Sequence, residues 1–307
     1  MTRKNKKLEK KLTECRHNKA SSLDLSDCGL TKIPKQLGEF TWLEKIDIMI
    51  NQITDLSPLK YLLGLRSFHS ANNPIKNPPR EVVDAGIEQI RQHFNALEKH
   101  GSEALREIKV LLLGKPGAGK TTLCKRLMGE TDFEKLSQDE STPGVDVNIH
   151  RFPVRNTHYR INFWDFAGQE TTYSHHELFF SNRAVYLIVL NGREADKPFD
   201  WLETVKVLTP EQGNECKVFL VRTQLDSKGF DKNPTLTIEA LKEKYPFIAG
   251  EKIFNLSSIT GEGFDDFEKQ LMKLIINHPQ ANEKYPSDRI AIKKKNRSAY
   301  FPGQKIY

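Results

Sequence analysis

Eight consecutive residues near the middle of the chain carry a phosphate-holding pattern. Gly114, Lys115, Pro116, Gly117, Ala118, Gly119, Lys120 and Thr121 fit G-x-x-x-x-G-K-[ST]. The apolar run Val110-Leu111-Leu112-Leu113 precedes them as a buried strand, and Leu123-Cys124-Lys125-Arg126-Leu127-Met128 continues as a helix. Strand, glycine loop and helix together make a P-loop, where backbone N–H groups turn inward on phosphate oxygens. Lys120 then reaches the β- and γ-phosphates of a nucleotide. The Thr121 hydroxyl can ligate Mg²⁺, and Thr122 completes the phosphate contacts. A glycine-rich turn before an ordinary helix is the plain alternative.

Four further segments follow in order. Trp164-Asp165-Phe166-Ala167-Gly168-Gln169-Glu170 ends a strand. There Asp165 can hold Mg²⁺, the Gly168 N–H can bond the γ-phosphate, and Gln169 can orient an attacking water. Between this segment and the P-loop lies Ser141-Thr142-Pro143-Gly144. Its Thr142 can coordinate Mg²⁺ and sense the γ-phosphate. After the run CKVFLVR stands Thr223-Gln224-Leu225-Asp226. A carboxylate at Asp226 accepts from the N1–H and exocyclic amine of guanine, a donor pair that adenine lacks. Last, Asn255-Leu256-Ser257-Ser258-Ile259-Thr260-Gly261 follows the final strand, and its backbone N–H groups, at Ser257 and Ser258, can meet the guanine O6.

These segments need a scaffold that brings them to one edge. From residue 107 to 278, apolar runs at 108–113, 145–154, 158–164, 184–190, 217–222 and 252–256 alternate with helical stretches. That alternation predicts a doubly wound α/β sheet, mostly parallel and of six strands. In such sheets ligands sit at the C-terminal ends of strands.

Before it lies an internal repeat. Ala20, Leu23, Leu25, Cys28 and Leu30 recur as Leu43, Ile46, Ile48, Asn51 and Ile53, then as Leu65, Phe68, Ser70, Asn73 and Ile75. The pattern L-x-x-L-x-L-x-x-[NC]-x-L predicts a short leucine-rich-repeat solenoid. So short an array suits either protein binding on its concave face or packing as a cap. The expected organisation is a basic cap at 1–19, three repeats at 20–79, a helical connector at 80–106, a nucleotide domain at 107–278 and a basic linker or tail at 279–307. The connector is read as one helix, with Val83, Ile87, Ile90 and Phe94 on its apolar face.

The net charge of +7 sits at the two ends, +6 over residues 1–19 and +5 over 281–307, leaving −4 for the body. That distribution argues against a nucleic-acid partner, which calls for a basic folded face. It suits solubilising tails, or weak contact with an anionic membrane surface. No apolar run approaches the ~18 residues of a membrane span. The four scattered cysteines make no C-x-x-C, so reduced thiols in the cytoplasm are expected.

The order of these motifs matches a small GTPase. The repeats, the Asn77-Pro78-Pro79-Arg80-Glu81-Val82-Val83 connector and the Asp165-Phe166-Ala167-Gly168-Gln169-Glu170 segment together resemble the Roco family, over roughly residues 20–278. The resemblance implies GTP and GDP binding with Mg²⁺, slow hydrolysis, and a signalling switch coupled to other domains. Three departures stand out. Family members carry a dimerising COR domain after Roc, and 29 residues remain here, so a missing or truncated COR is expected and dimerisation is left open. Gln224 replaces the Lys or His of the base motif, and Pro116 occupies a position held by Gly in Ras-like proteins. The reading is a GTPase switch whose repeats and switch segments meet a protein partner of unknown identity, with Gln169, Lys120 and Thr142 as catalytic residues. A non-catalytic nucleotide-binding scaffold, or an ATP-binding P-loop protein, are the rivals.

Overall fold

A computed structural model describes residues 3–133, 145–154, 156–166, 180–181, 183–193, 197–209, 216–231 and 237–298. They form two compact units. One is built from residues up to 103 together with 284–296, and the other from residues 104–283.

In the first unit, helix α1 (Arg3–Asn18) buries Leu12 and Cys15. Three short strands follow, β1 (Ser22–Asp24), β2 (Lys45–Asp47) and β3 (Ser67–His69). They pair in parallel, with Leu23 opposite Ile46 and Ile46 opposite Phe68. Each strand contributes one inward apolar side chain, as a period of two requires. Between strands, 3-10 turns at Lys35–Glu39 and Ser57–Tyr61 bury Leu37 and Leu59. The tight coils leave backbone groups that no ladder can pair. Asn51 meets them. Its Oδ1 accepts from Cys28 N (3.1 Å) and Leu30 N (2.9 Å), while its Nδ2 donates to the carbonyls of Leu25, Ile48 and Met49. Asn73 repeats the device one coil on, toward Ile53 N and the carbonyls of Ile48 and Ser70.

The connector is two helices rather than one, α2 (Arg80–Asp84) and α3 (Ile87–His100). Gly86, at φ +91°, turns the chain between them in a conformation that favours glycine. Ile87, Ile90 and Phe94 are buried, as their spacing predicted. Arg91 on α3 donates through Nη2 to the carbonyls of Leu62 (2.6 Å) and Leu65 (2.8 Å), closing the last coil. A short strand β4 (Ser102–Ala104) follows.

The second unit is a six-stranded sheet. Its strands are β5 (Glu107–Leu113), β6 (Val145–Val154), β7 (Thr157–Phe166), β8 (Val185–Asn191), β9 (Lys217–Thr223) and β10 (Phe254–Asn255). They lie in the order β10-β9-β8-β5-β7-β6, all parallel except β6, which pairs antiparallel with β7. The central strands are apolar on both sides because both faces are covered. Val110 and Leu112 share one core with Leu123 and Leu127 of α4 (Lys120–Leu127). Leu111 and Leu113 face the other, with Trp201, Leu202 and Val205 of α5 (Phe199–Leu208) and Leu241 of α6 (Ile238–Lys244). Helix α7 (Phe264–Asn277) adds Phe267, Leu271 and Ile275 to the first core.

Residues 279–307, read from the sequence as linker or tail, carry structure over 280–298. Strand β11 (Lys284–Pro286) pairs with β4, and α8 (Ser287–Ser298) follows. Ile290 is buried, Ser287 N bonds Gly101 O (3.2 Å), and Tyr285 meets His93 edge-on at 6.4 Å between ring centres. One buried isoleucine on an otherwise charged helix is too faint a periodic signal to read. The strand's partner also lies almost two hundred residues away. The contact boundary falls accordingly at 283 rather than 278. Among the described residues no helix is long and apolar enough to cross a membrane.

Candidate nucleotide site

The glycine loop leaves β5 at its C-terminal end and enters α4. At Gly114 a Cβ would stand 2.2 Å from the Val189 carbonyl oxygen of β8, so only glycine fits there. Gly117 and Gly119 adopt φ +72° and +84°, and Gly119 is the N-cap of α4. Ala118 is buried between them, its N–H bonded to Lys115 O at 3.2 Å. Lys115 and Pro116 lie exposed on the loop, and Thr122 is half-buried in the first turn of α4.

Lys120 is 6% exposed. Its Nζ donates to the carbonyls of Gly114 (2.8 Å) and Lys115 (3.0 Å), which aims the ammonium back across the mouth of the loop. Burial lowers its pKa and the nearby Asp165 carboxylate opposes that shift. Asp165 is buried, on the penultimate position of β7. Parallel pairing sets it opposite Leu112, close to the loop that leaves β5. The Thr121 hydroxyl donates to its Oδ2 at 2.6 Å. A hydroxyl and a carboxylate oxygen in contact beside a phosphate loop suit a hard, oxygen-seeking cation such as Mg²⁺.

The base-motif segment is fastened to this loop. Thr223 Oγ1 donates to Ala118 O at 2.6 Å and lies 3.3 Å from Leu190 O. Gln224, at φ +66°, donates from Nε2 to Gly117 O at 2.8 Å. Asp226 is exposed two residues on. The last loop joins through Leu225 N to Leu256 O (3.2 Å). In it Ser257 is fully buried and accepts from Thr260 N (3.0 Å), while the buried Ser258 Oγ has no partner among the described residues. The structure thus brings together Gly114 to Thr121, Asp165, Thr223, Gln224, Ser257 and Ser258. Thr142, Gly168 and Gln169 lie outside the described residues.

One residue of this constellation carries no sequence signal. Arg126, in the last turn of α4, donates from Nη1 to Ile259 O (3.0 Å) and Ser258 O (3.3 Å). Its guanidinium carbon stands 5.3 Å from the Phe264 ring centre. A Cβ on Gly261 would meet Nη2 at 2.2 Å, so the glycine makes room for the clamp. In sequence this arginine is an ordinary basic residue at a helix C-terminus.

Comparison with known proteins agrees with this geometry. Residues 109–226 match the family described as Roc: Ras of Complex, Roc, domain of DAPkinase. Over those residues the nucleotide unit is similar to a Roc domain. It is 27% identical over 262 residues to the probable serine/threonine-protein kinase pats1 of Dictyostelium discoideum, covering 77% of this chain and 8% of that protein. A Roc-COR-CHAT protease from an unknown prokaryotic organism is 26% identical, covering 64% of this chain and 21% of that one. Among solved structures, Methanosarcina barkeri Roco2 RocCORdC bound to GDP is 30% identical with a TM-score of 0.52, over 63% of this chain and 56% of that chain. These likenesses support the Roco family. The chain spans about a tenth to a fifth of the length of the curated relatives named here.

Proposed function

We propose that this chain is a guanine-nucleotide switch that hydrolyses GTP slowly, with its N-terminal coils acting as a leucine-rich-repeat interaction arm. The observation that carries the reading is the pair of bonds from Thr223 and Gln224 to the P-loop carbonyls of Ala118 and Gly117. They tie the segment bearing the base-reading Asp226 to the segment that holds phosphate, so one ligand with both ends fits both. The Roc match and the GDP-bound relative support guanine as that ligand's base.

In this reading the loop N–H groups and the α4 N-terminus hold the phosphates, and Lys120 balances charge on the β- and γ-groups. Asp226 accepts from the guanine N1–H and amine, with the Ser257 and Ser258 backbone at O6. The Thr121 hydroxyl, the Asp165 carboxylate and Thr142 would hold Mg²⁺, which supplies further charge neutralisation on the phosphate oxygens. Gln169 positions the attacking water, and Gly168 and Thr142 hold the switch segments to the γ-phosphate until hydrolysis releases them. The sequence marks no arginine as a finger in cis, so intrinsic turnover is expected on the order of 10⁻⁴ to 10⁻² per second. The setting proposed is intracellular signalling, with a protein partner at the coils and switch segments.

The test is binding of fluorescent GTP, GDP and ATP with Mg²⁺, followed by phosphate release on the same sample. Guanine-selective binding with slow release supports the switch. Selective binding without release points to a non-catalytic scaffold, and equal affinity for ATP removes the guanine assignment. Gln169→Leu is expected to keep GTP affinity and abolish turnover; unchanged hydrolysis removes Gln169 from its role.

A further inference from the structure

Strand β9 carries a charged residue where its neighbours are apolar. Val218 to Val221 are buried, and the Arg222 side chain that follows is only 6% exposed. A guanidinium in such a place is costly unless matched. Nη1 donates to Asn255 Oδ1 and Nη2 to Gly192 O, each at 3.4 Å. The Asp231 carboxylate stands 3.6 Å from Nη2, and the Phe230 ring centre lies 4.7 Å from the guanidinium carbon. Burial lowers the pKa of Arg222 and Asp231 opposes that.

These partners surround the segment that presents Asp226. Gly192 follows β8, Asn255 ends β10, and Phe230-Asp231 closes the loop that Thr223 and Gln224 begin. The loop is wound tightly, with Ser227 N on Gln224 O (2.9 Å), Phe230 N on Ser227 O (3.0 Å) and Asp231 N on Gly192 O (2.9 Å). A Cβ on Gly192 would stand 2.2 Å from the Phe230 ring, so glycine there lets the ring close over the arginine. One end of the loop is thus anchored to the P-loop by Thr223 and Gln224. The other end is anchored to Arg222. Asp226 is exposed midway between the anchors.

We propose that Arg222 is a positioning residue for base selection. By holding Phe230 and Asp231 against the strand ends, it sets where the Asp226 carboxylate stands. That position decides how well a base with both a ring N–H and an exocyclic amine is told from one lacking the amine. The proposal rests on the guanine reading of Asp226 given above. It assigns Arg222 no contact with nucleotide.

The experiment compares GDP, IDP and ADP binding to the full chain as wild type, Arg222→Met, Arg222→Lys and Asp226→Asn. GDP and IDP share every phosphate contact and differ in the amine that Asp226 accepts. A general weakening of the site lowers both affinities alike and leaves their ratio unmoved. Arg222→Met is expected to lower the GDP-to-IDP ratio about tenfold, the worth of one charge-assisted hydrogen bond. Arg222→Lys, which keeps the charge without the fork, is expected to restore only part of it. Should Arg222→Met fail to fold, Asp231→Asn is expected to lower the ratio in the same direction by less. An unchanged ratio in whichever of these variants is folded overturns the proposal. If the wild type binds GDP no better than ADP, the guanine reading fails and this proposal with it. If the wild type prefers GDP, Asp226→Asn loses the preference and the Arg222 and Asp231 variants keep it, only the role of Arg222 is lost.

Discussion

The two units use buried polar side chains differently. In the first, the fully enclosed polar residues are Asn51 and His93. Asn51 spends its hydrogen bonds on backbone groups of adjacent coils, and His93 packs edge-on against Phe94 and Tyr285. In the second, Lys120, Asp165, Asn191, Arg222, Thr223, Ser257 and Ser258 are buried at or beyond the C-terminal ends of strands, and Thr209 and His278 are buried at the ends of α5 and α7. Buried polar groups are costly unless satisfied. Asn51 is satisfied locally and serves the fold, while both ring nitrogens of His93 have no hydrogen-bond partner among the described residues; polar groups that converge at one edge of a parallel sheet are the pattern of a ligand site.

The contrast can be broken by substitution. Gly114→Ala is expected to have the largest effect, because the new Cβ meets the Val189 backbone at 2.2 Å. A cost of about 3 kcal/mol and loss of nucleotide binding are expected, read by melting temperature and by titration with GDP. Asn51→Ala leaves several buried backbone groups unpaired, at a cost of about 3 kcal/mol. It is expected to lower the melting temperature of its own unit while GDP affinity stays within about twofold; a large loss of affinity would erase the distinction drawn here.

His93 sharpens the comparison through pH. Its burial, with the Arg289 charge adding to it, holds the folded-state pKa at about 4, below the ordinary 6.5. The folded protein therefore binds fewer protons than the unfolded chain between these values. The stability this neutral histidine preserves is fully present above pH 6.5 and is lost as pH falls toward 4, by up to about 3 kcal/mol. Denaturant melts at pH 7 and pH 5 of wild type and His93→Phe should show the slope in the first and a flatter dependence in the second. Equal slopes would take His93 out of the account.

Smaller effects are expected from the fastenings of the nucleotide site. Thr223→Val keeps the shape but leaves the Ala118 carbonyl without its 2.6 Å donor, for about 1–2 kcal/mol. The loss should appear in nucleotide affinity as well as in stability. Arg126→Met frees the carbonyls of Ser258 and Ile259, and about a threefold rise in GDP dissociation rate is expected. No change in that rate would mean the clamp serves the helix rather than the loop.

The sheet was largely legible because its central strands are apolar on both faces. The run at 184–190 is found one residue on, at 185–191, and that at 217–222 extends to 223. The break in the connector was not, since Val83, Ile87, Ile90 and Phe94 keep helical spacing across Gly86. Periodicity is blind to a glycine whose φ is positive. Strand β11 and helix α8 were missed because the signal that orders them lies in β4 and α3, far away in the chain. In the sequence Arg222 is the end of an apolar run and Arg126 a charge near a helix end, and neither pattern signals its contacts.

By itself the sequence determined the phosphate loop, since a P-loop is made by the backbone of adjacent residues and its glycines must be where the chain turns. It also determined the order of the motifs and the alternation that calls for a parallel sheet. Tertiary structure decided how the base side is held. Thr223 reaches Ala118 across 105 positions and Arg126 reaches Ile259 across 133. Such contacts depend on which strands become neighbours, and strand order is settled by packing rather than by any local pattern of residues.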